Sequence, residues 1–323
     1  MALRNSLFAV SGKASFLDAR RDMSGLFVCD NTTMMPIAGI LDRSQDNLVT
    51  GNGNSMAVTV HPFNAVLNRY GALLIQNDGN VNVPLGAAPS ANSRIDTVYV
   101  KQNETRSPMS DTSDVPTFGV VRGTAAAVPV APEVPAGAVE LAQVLLPAGV
   151  SNTAASGVVI TQTYIGAAMK GDMLRVQTSA QRDALTNVPE GTMLHNVADN
   201  NDYLRTLSGK WAKIRDELKF KAPFTSDEWR IRREWDTVTV TGAVHYTASN
   251  QQNHALANEK MPHEWCPDIG VDTAANIAAG AVSAANADWC NFIRPDGHIV
   301  MLGNTQAVYS GVTGGWACVN WRA

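Results

Sequence analysis

Short apolar runs recur along this chain, and each is cut off by Gly, Pro, Asn or Asp before a helix of ordinary length could form. Residues 56–61, 72–76, 94–101, 118–124, 139–147 and 158–164 are runs of this kind, and residues 24–29 read as another. Within 94–101, Ile95, Thr97 and Tyr99 share one face of a strand, with Asp96, Val98 and Val100 on the other. Strands of this length and spacing predict a mainly β chain whose first domain, residues 1–168, is an antiparallel β-sandwich. The sequence Gly51-Asn52-Gly53-Asn54 marks a turn, and Asn77-Asp78-Gly79-Asn80 has the chemistry of a tight hairpin. Residues 102–117, rich in Ser, Asp, Thr and Pro, read as an exposed loop; 125–137 alternate Ala, Val and Pro and favour extended backbone.

Charge narrows the choice of partners. Charged residues make up 17% of the chain, net charge is −4 and no basic run occurs, so no nucleic-acid footprint is present. The N-terminal residues lack the apolar stretch of a secretory signal and are broken by Gly12 and Lys13. No segment approaches about eighteen unbroken apolar residues, so no membrane insertion is expected. Cys29, Cys266, Cys290 and Cys318 show no CxxC or metal-ligand spacing. They read as buried thiols in a reducing compartment, with a Cys266–Cys290 bridge left open.

Residues 169–215 read as a neck. Thr178 and Ser179 cap a short helix over 178–185, which Pro189 and Gly191 follow. Strands at 192–197 and 202–207 flank a hairpin turn, and a second turn at 208–211 leads to a third strand. A short helix plus a three-stranded β-meander is too small to bury a core alone, so it calls for neighbours. Three copies around an axis would supply them, which predicts an elongated homotrimer.

Residues 216–323 read as a C-terminal β-sandwich head. Trp229, Ile231, Arg233 and Trp235 alternate with Arg230, Arg232 and Glu234, and 237–246 alternate valines with threonines. Residues 247–258 are amide-rich and read as a loop. Residues 274–288 are rich in alanine, but Gly280 and the missing helical period favour a loop plus strand. Strands on either side of Pro295-Asp296-Gly297 follow, and a terminal strand carries Trp316 and Trp321.

Three sets of motifs carry a resemblance. Arg94-Ile95-Asp96-Thr97-Val98 is followed by Pro135-Ala136-Gly137, Leu141-Ala142 and Leu146-Pro147-Ala148-Gly149. This order resembles the N-terminal domain of baseplate, minor-tail and tail-fibre proteins of long-tailed bacteriophages, a domain that fixes the fibre to the virion. Gln181-Arg182-Asp183-Ala184-Leu185, Pro189-Glu190-Gly191-Thr192, and then Tyr203, Gly209 and Trp211 in order are similar to a module common in phage fibres. Met261-Pro262, Trp265 and Pro267, followed by Ile293, Pro295-Asp296-Gly297 and Ile299, resemble the head of phage receptor-binding proteins. The resemblance implies a non-enzymatic protein of the virion tail. Its first domain would meet other tail or baseplate proteins, and its head would bind a host cell-surface glycan.

For such a ligand the candidate residues are Trp265, Trp316, Trp321 and Tyr309, whose rings stack on sugars. Asn250, Gln251, Gln252, Asn253 and His254 would hydrogen-bond hydroxyls. Trp316 and Trp321 have opposite strand parity, so at most one faces the core. His245, His254 and His263 recur nine residues apart, which gives no local ligand geometry; no metal and no cofactor are expected. Asp96 reads as the structural partner of Arg94. Asp268, Asp272, Asp288 and Asp296 are too scattered to nominate a catalytic pair. A tail-associated glycan hydrolase remains an alternative, as does a head-decorating fibre or baseplate component without receptor contact.

Overall fold

The computed structural model describes residues 15–41, 47–221, 228–234, 237–245, 254–255, 277–284, 287–293, 299–303 and 313–322. Beyond Glu217 it is a description of backbone, with the side chains of Arg232 and Arg233 added. The chain is mainly β and divides into two compact units, Met1–Ala212 and Lys213–Ala323. Among the described residues no helix is long and apolar enough to cross a membrane.

The first unit opens on α1 (Phe16–Ser24), a helix the sequence reading missed. Its start is a capping box: the Ser15 hydroxyl accepts from the Asp18 amide at 3.2 Å, and the Asp18 carboxylate accepts from the Ser15 amide at 2.9 Å. Residues 24–29 are therefore no strand. Ser24 ends the helix, and only Phe27 and Cys29 make isolated bridges.

Three antiparallel sheets follow. One has the order β1 (Gly39–Ile40), β4 (Phe63–Asn68), β5 (Ala72–Asn77), and a second the order β2 (Val49–Gly51), β3 (Ala57–Val60), β6 (Val81–Pro84). The third runs β10 (Val159–Gln162), β9 (Val139–Leu146), β7 (Arg94–Gln102), β8 (Pro116–Val121). All three contribute to one core, in which Ile40, Val58, Leu67, Val98, Leu141 and Val144 are fully buried. The turn at 77–80 does not close a hairpin, because β5 pairs with β4 while β6 pairs with β3. The Asn77 side-chain Nδ2 donates to Gly79 O at 2.8 Å and to His61 O at 2.9 Å, which steers the chain across to the other sheet.

The expected boundary at 168/169 falls inside this unit. A four-stranded sheet runs β11 (Met173–Val176), β12 (Met193–Asn196), β13 (Asn201–Arg205), β14 (Trp211–Lys213). The meander was foreseen, as was the helix α2 (Ser179–Ala184) capped by Thr178; β11, parallel to β12, was not. Residues 165–167 stitch this sheet to β1: the Ile40 amide donates to Ile165 O at 2.8 Å, and Gly166 and Arg175 exchange amide bonds at 2.7 and 2.9 Å. The inner face of the meander, Leu174, Leu194 and Tyr203, packs on Val28, Ala168 and Ile37. Its neighbours are thus supplied by the same chain, and an uncovered apolar face is no longer an argument for three copies.

The second unit has two antiparallel four-stranded sheets. One runs β15 (Arg215–Lys221), β16 (Glu228–Glu234), β17 (Thr237–His245), β22 (Thr313–Arg322). The other runs β18 (His254–Ala255), β21 (Ile299–Gly303), β20 (Ala287–Ile293), β19 (Ile277–Ala284), and β19 lies beside β22. In the first, Arg215, Asp216, Glu217 and Lys221 stand opposite Glu234, Arg233, Arg232 and Glu228, while Lys219 stands opposite Arg230. Residues 277–284 form a strand rather than a helix, as Gly280 suggested.

Candidate docking surface

The structure places three of the nine residues proposed for ligand binding. Trp316 and Trp321 stand in β22, opposite Ala243 and Val238 of β17. His254 is in β18 opposite Met301, a strand position rather than the expected loop, because β21 offers a partner too distant in sequence to foresee. The backbone therefore puts the two tryptophans on one sheet and His254 on the other. Asn250, Gln251, Gln252, Asn253, Trp265 and Tyr309 lie outside the described residues.

The motif strands of the first unit are next to each other. Strands β7 and β9 pair with Arg94 opposite Leu146, Asp96 opposite Val144 and Val98 opposite Ala142. Arg94 and Asp96 are 1% and 0% exposed. The guanidinium also donates to Gly86 O and Ala87 O, and the Gly123 amide donates to Asp96 at 3.0 Å. The carboxylate is thus consumed in tying β7 to its flanking turns.

A second charged cluster holds down the loop that the sequence reading left exposed. Glu104 accepts from Arg20 and Arg69, while Asp111 accepts from Arg69 and, at 2.5 Å, from Lys101. The Lys101 hydrogen bond, helped by the Glu104 amide and the Arg69 charge, holds the Asp111 carboxyl below the usual carboxylate range against the opposing effect of burial. A cleft of about 480 Å³ opens beside Arg69, Lys101 and Met109, but both of these cations are already paired.

A second pocket is lined by two cations, Arg21 and Lys170, and two carboxylates, Asp172 and Glu190. The last turn of α1 contributes Arg21 and Gly25, and the chain then passes through Val28 and Cys29 into a turn that ends at Met35. Asp30 fixes that turn by accepting from the amides of Thr32 and Thr33 at 3.0 and 2.8 Å and from Asn187 at 2.9 Å. The Thr33 amide is the main reason its carboxyl is held below the ordinary value. Two further turns complete the walls, one with Gly171 at φ +88° and one with Gly191 at φ +78°. The enclosed volume is about 370 Å³. Met34, held at φ 55°, lines it and is 60% exposed. Leu26 and Met169, 53% and 51% exposed, adjoin the lining residues Gly25 and Lys170.

The thiol that lines this pocket is not an activated nucleophile. Burial pushes the Cys29 thiol up, with Lys170 opposing, and its S–H donates to Ser24 O at 3.1 Å. Among the described residues no group of three His, Cys, Asp or Glu is arranged to hold a metal. Single-sequence reasoning missed the pocket because its walls come from segments near residues 25, 171 and 191. The legible signals were the capping box at Ser15 and Asp18 and the turn glycines.

Comparison with protein-family models and with curated proteins finds no match.

Proposed function

We propose that this chain is a non-enzymatic structural protein of a tailed-bacteriophage particle, a tail fibre or receptor-binding protein. The first unit attaches to other tail or baseplate proteins. The second, its two sheets stacked as a β-sandwich, binds a glycan on the host surface. The working form is an elongated homotrimer, which gains avidity from several weak sites.

The observation that carries this reading is the place of the motif residues. Arg94, Asp96, Leu141 and Val144 sit on two adjacent central strands, and Arg94 and Asp96 are locked in a buried pair. Gly137 of the same motif set has φ +75°, and a Cβ there would come within 2.7 Å of Arg69. These residues of the first motif set thus have scaffold roles, as expected of a domain that fixes a fibre rather than one that transforms a substrate.

The test is adsorption. Full-length chain added to host cells is expected to bind them and to slow adsorption of the phage in proportion to its concentration. Failure to bind, or binding that leaves adsorption unchanged, would contradict receptor recognition. Release of reducing sugar from the host envelope, abolished by a single carboxylate change, would favour a hydrolase instead.

A further inference from the structure

We propose that residues 127–136 form an exposed polyproline ridge that seats in an aromatic-lined groove of another protein of the particle. The segment lies in the connection from β8 to β9, residues 122–138. Both strands pair antiparallel with β7, from opposite sides, so they run parallel to each other. The chain must therefore cross back along the sheet between them.

Three prolines set the shape of that crossing. Pro129, Pro132 and Pro135 recur every third residue in the sequence Val128-Pro129-Val130-Ala131-Pro132-Glu133-Val134-Pro135. Each fixes its own φ at about −65° and keeps the residue before it extended, which covers Val128, Ala131 and Val134 as well. Residues 127–135, all of them described, join no helix or strand. A polyproline helix makes one turn in about three residues, and burial follows that period. Ala127, Val130, Glu133 and Ala136 are exposed, while the three prolines, Ala131 and Val134 are half-buried.

Three hydrogen bonds hold the ridge in place. The Ala126 amide donates to Ser93 O at 3.0 Å, and the Ala138 amide donates to Pro135 O at 3.0 Å. Between them the fully buried Thr97 hydroxyl donates to Pro132 O at 2.8 Å. Crossing the sheet accounts for the length and stiffness of the segment but not for its outer side. Val128 and Val130 are 82% and 77% exposed, and Glu133 is the one charge within 127–136. A nearly uncharged ridge with proline every third residue and valines outward matches a groove of aromatic rings, the surface that takes up extended Pro-rich segments. Because the ridge is ordered beforehand, docking costs it little entropy. The first unit is read as the part that meets other tail or baseplate proteins, and the proposed partner rests on that reading.

The test is photocrosslinking within the particle. Full-length chain with p-benzoylphenylalanine in place of Ala127, one turn from Val130, is assembled into phage particles. These are purified, irradiated, digested and analysed by peptide mass spectrometry. The expected product joins residue 127 to a peptide of another particle protein, at or beside Trp, Tyr or Phe residues. Val130→Asp in the same chain is expected to lower the yield of that product about tenfold or more, since it drives a charge into an apolar groove. The unfolding midpoint is expected to stay unchanged, because the side chain is exposed. If that variant fails to fold, Val130→Ala takes its place and is expected to lower the yield about threefold or more. Three products would overturn the ridge's role and leave the virion reading standing: a link between two copies of this chain, a partner peptide without aromatic residues, or no link from particles that contain the chain. A yield unchanged by the Val130 variant would overturn it too. Particles that lack the chain altogether would overturn the virion reading, and the proposed partner with it.

Discussion

The Nε of Arg94 donates to both carboxylate oxygens of Asp96, at 2.9 and 3.1 Å, and both side chains are shut away from solvent. Removing one partner leaves an uncompensated buried charge. Asp96→Ala is expected to cost about 3–5 kcal/mol, read from urea unfolding. Arg94→Met combined with Asp96→Val is expected to cost less than Asp96→Ala alone, since replacing a whole buried pair by apolar groups is close to neutral. A loss below about 1 kcal/mol for Asp96→Ala would mean that the pair is not closed in solution.

Gly137 and Gly149 provide a matched comparison. Both have left-handed backbone, at φ +75° and +73°, but a Cβ on Gly137 would meet Arg69 at 2.7 Å, whereas one on Gly149 meets nothing within 4 Å. Gly149→Ala is expected to lose only the backbone cost of about 1–2 kcal/mol. Gly137→Ala is expected to lose more and to displace Arg69 from Glu104 and Asp111, which would speed protease cleavage within residues 103–115. Equal losses for the two variants would contradict the contact.

Acid should loosen the same loop. Asp111 and Asp30 are held below their ordinary 3.8, Asp111 chiefly by Lys101 and Asp30 chiefly by the Thr33 amide. A carboxyl with a lowered folded-state pKa contributes stability that is present above its unfolded value and lost as pH falls through the folded one. Stability is therefore expected to fall below pH 3.8, and Asp111→Asn to be less stable than the parent at pH 7 with a flatter acid limb. Parallel acid limbs in the two proteins would rule out this role for Asp111.

Cys29 should be unreactive despite lining a pocket. Its thiol is pushed up by burial and donates to Ser24 O, so little thiolate exists near neutrality. Alkylation by iodoacetamide at pH 8, followed by peptide mass spectrometry, is expected to be about 100-fold slower in the folded chain than in urea. A native rate close to the unfolded one would place the sulfur in the open.

What could be read in advance was local. The alternation over residues 94–101 gave β7, the Asn/Asp-rich turn near residue 200 gave the β12–β13 hairpin, and the alternation of valines with threonines over 237–246 gave β17. What could not be read depended on partners distant in the chain. Asn77-Asp78-Gly79 has hairpin chemistry, but the Asn77 side chain donates its Nδ2 to His61 O and the chain passes to another sheet. The meander looked unable to bury itself because Val28 and Ile37, which cover it, precede it by more than a hundred residues. The helix α1 was marked by Ser15 and Asp18 and overlooked because no long apolar period followed.

The most direct test of the virion reading is to find the chain on purified phage particles with an antibody against residues 213–323, seen by gold-labelled electron microscopy. Label at the free end of the tail or its fibres is expected. Particles that contain none of the chain, by label and by mass spectrometry of their proteins, would contradict it.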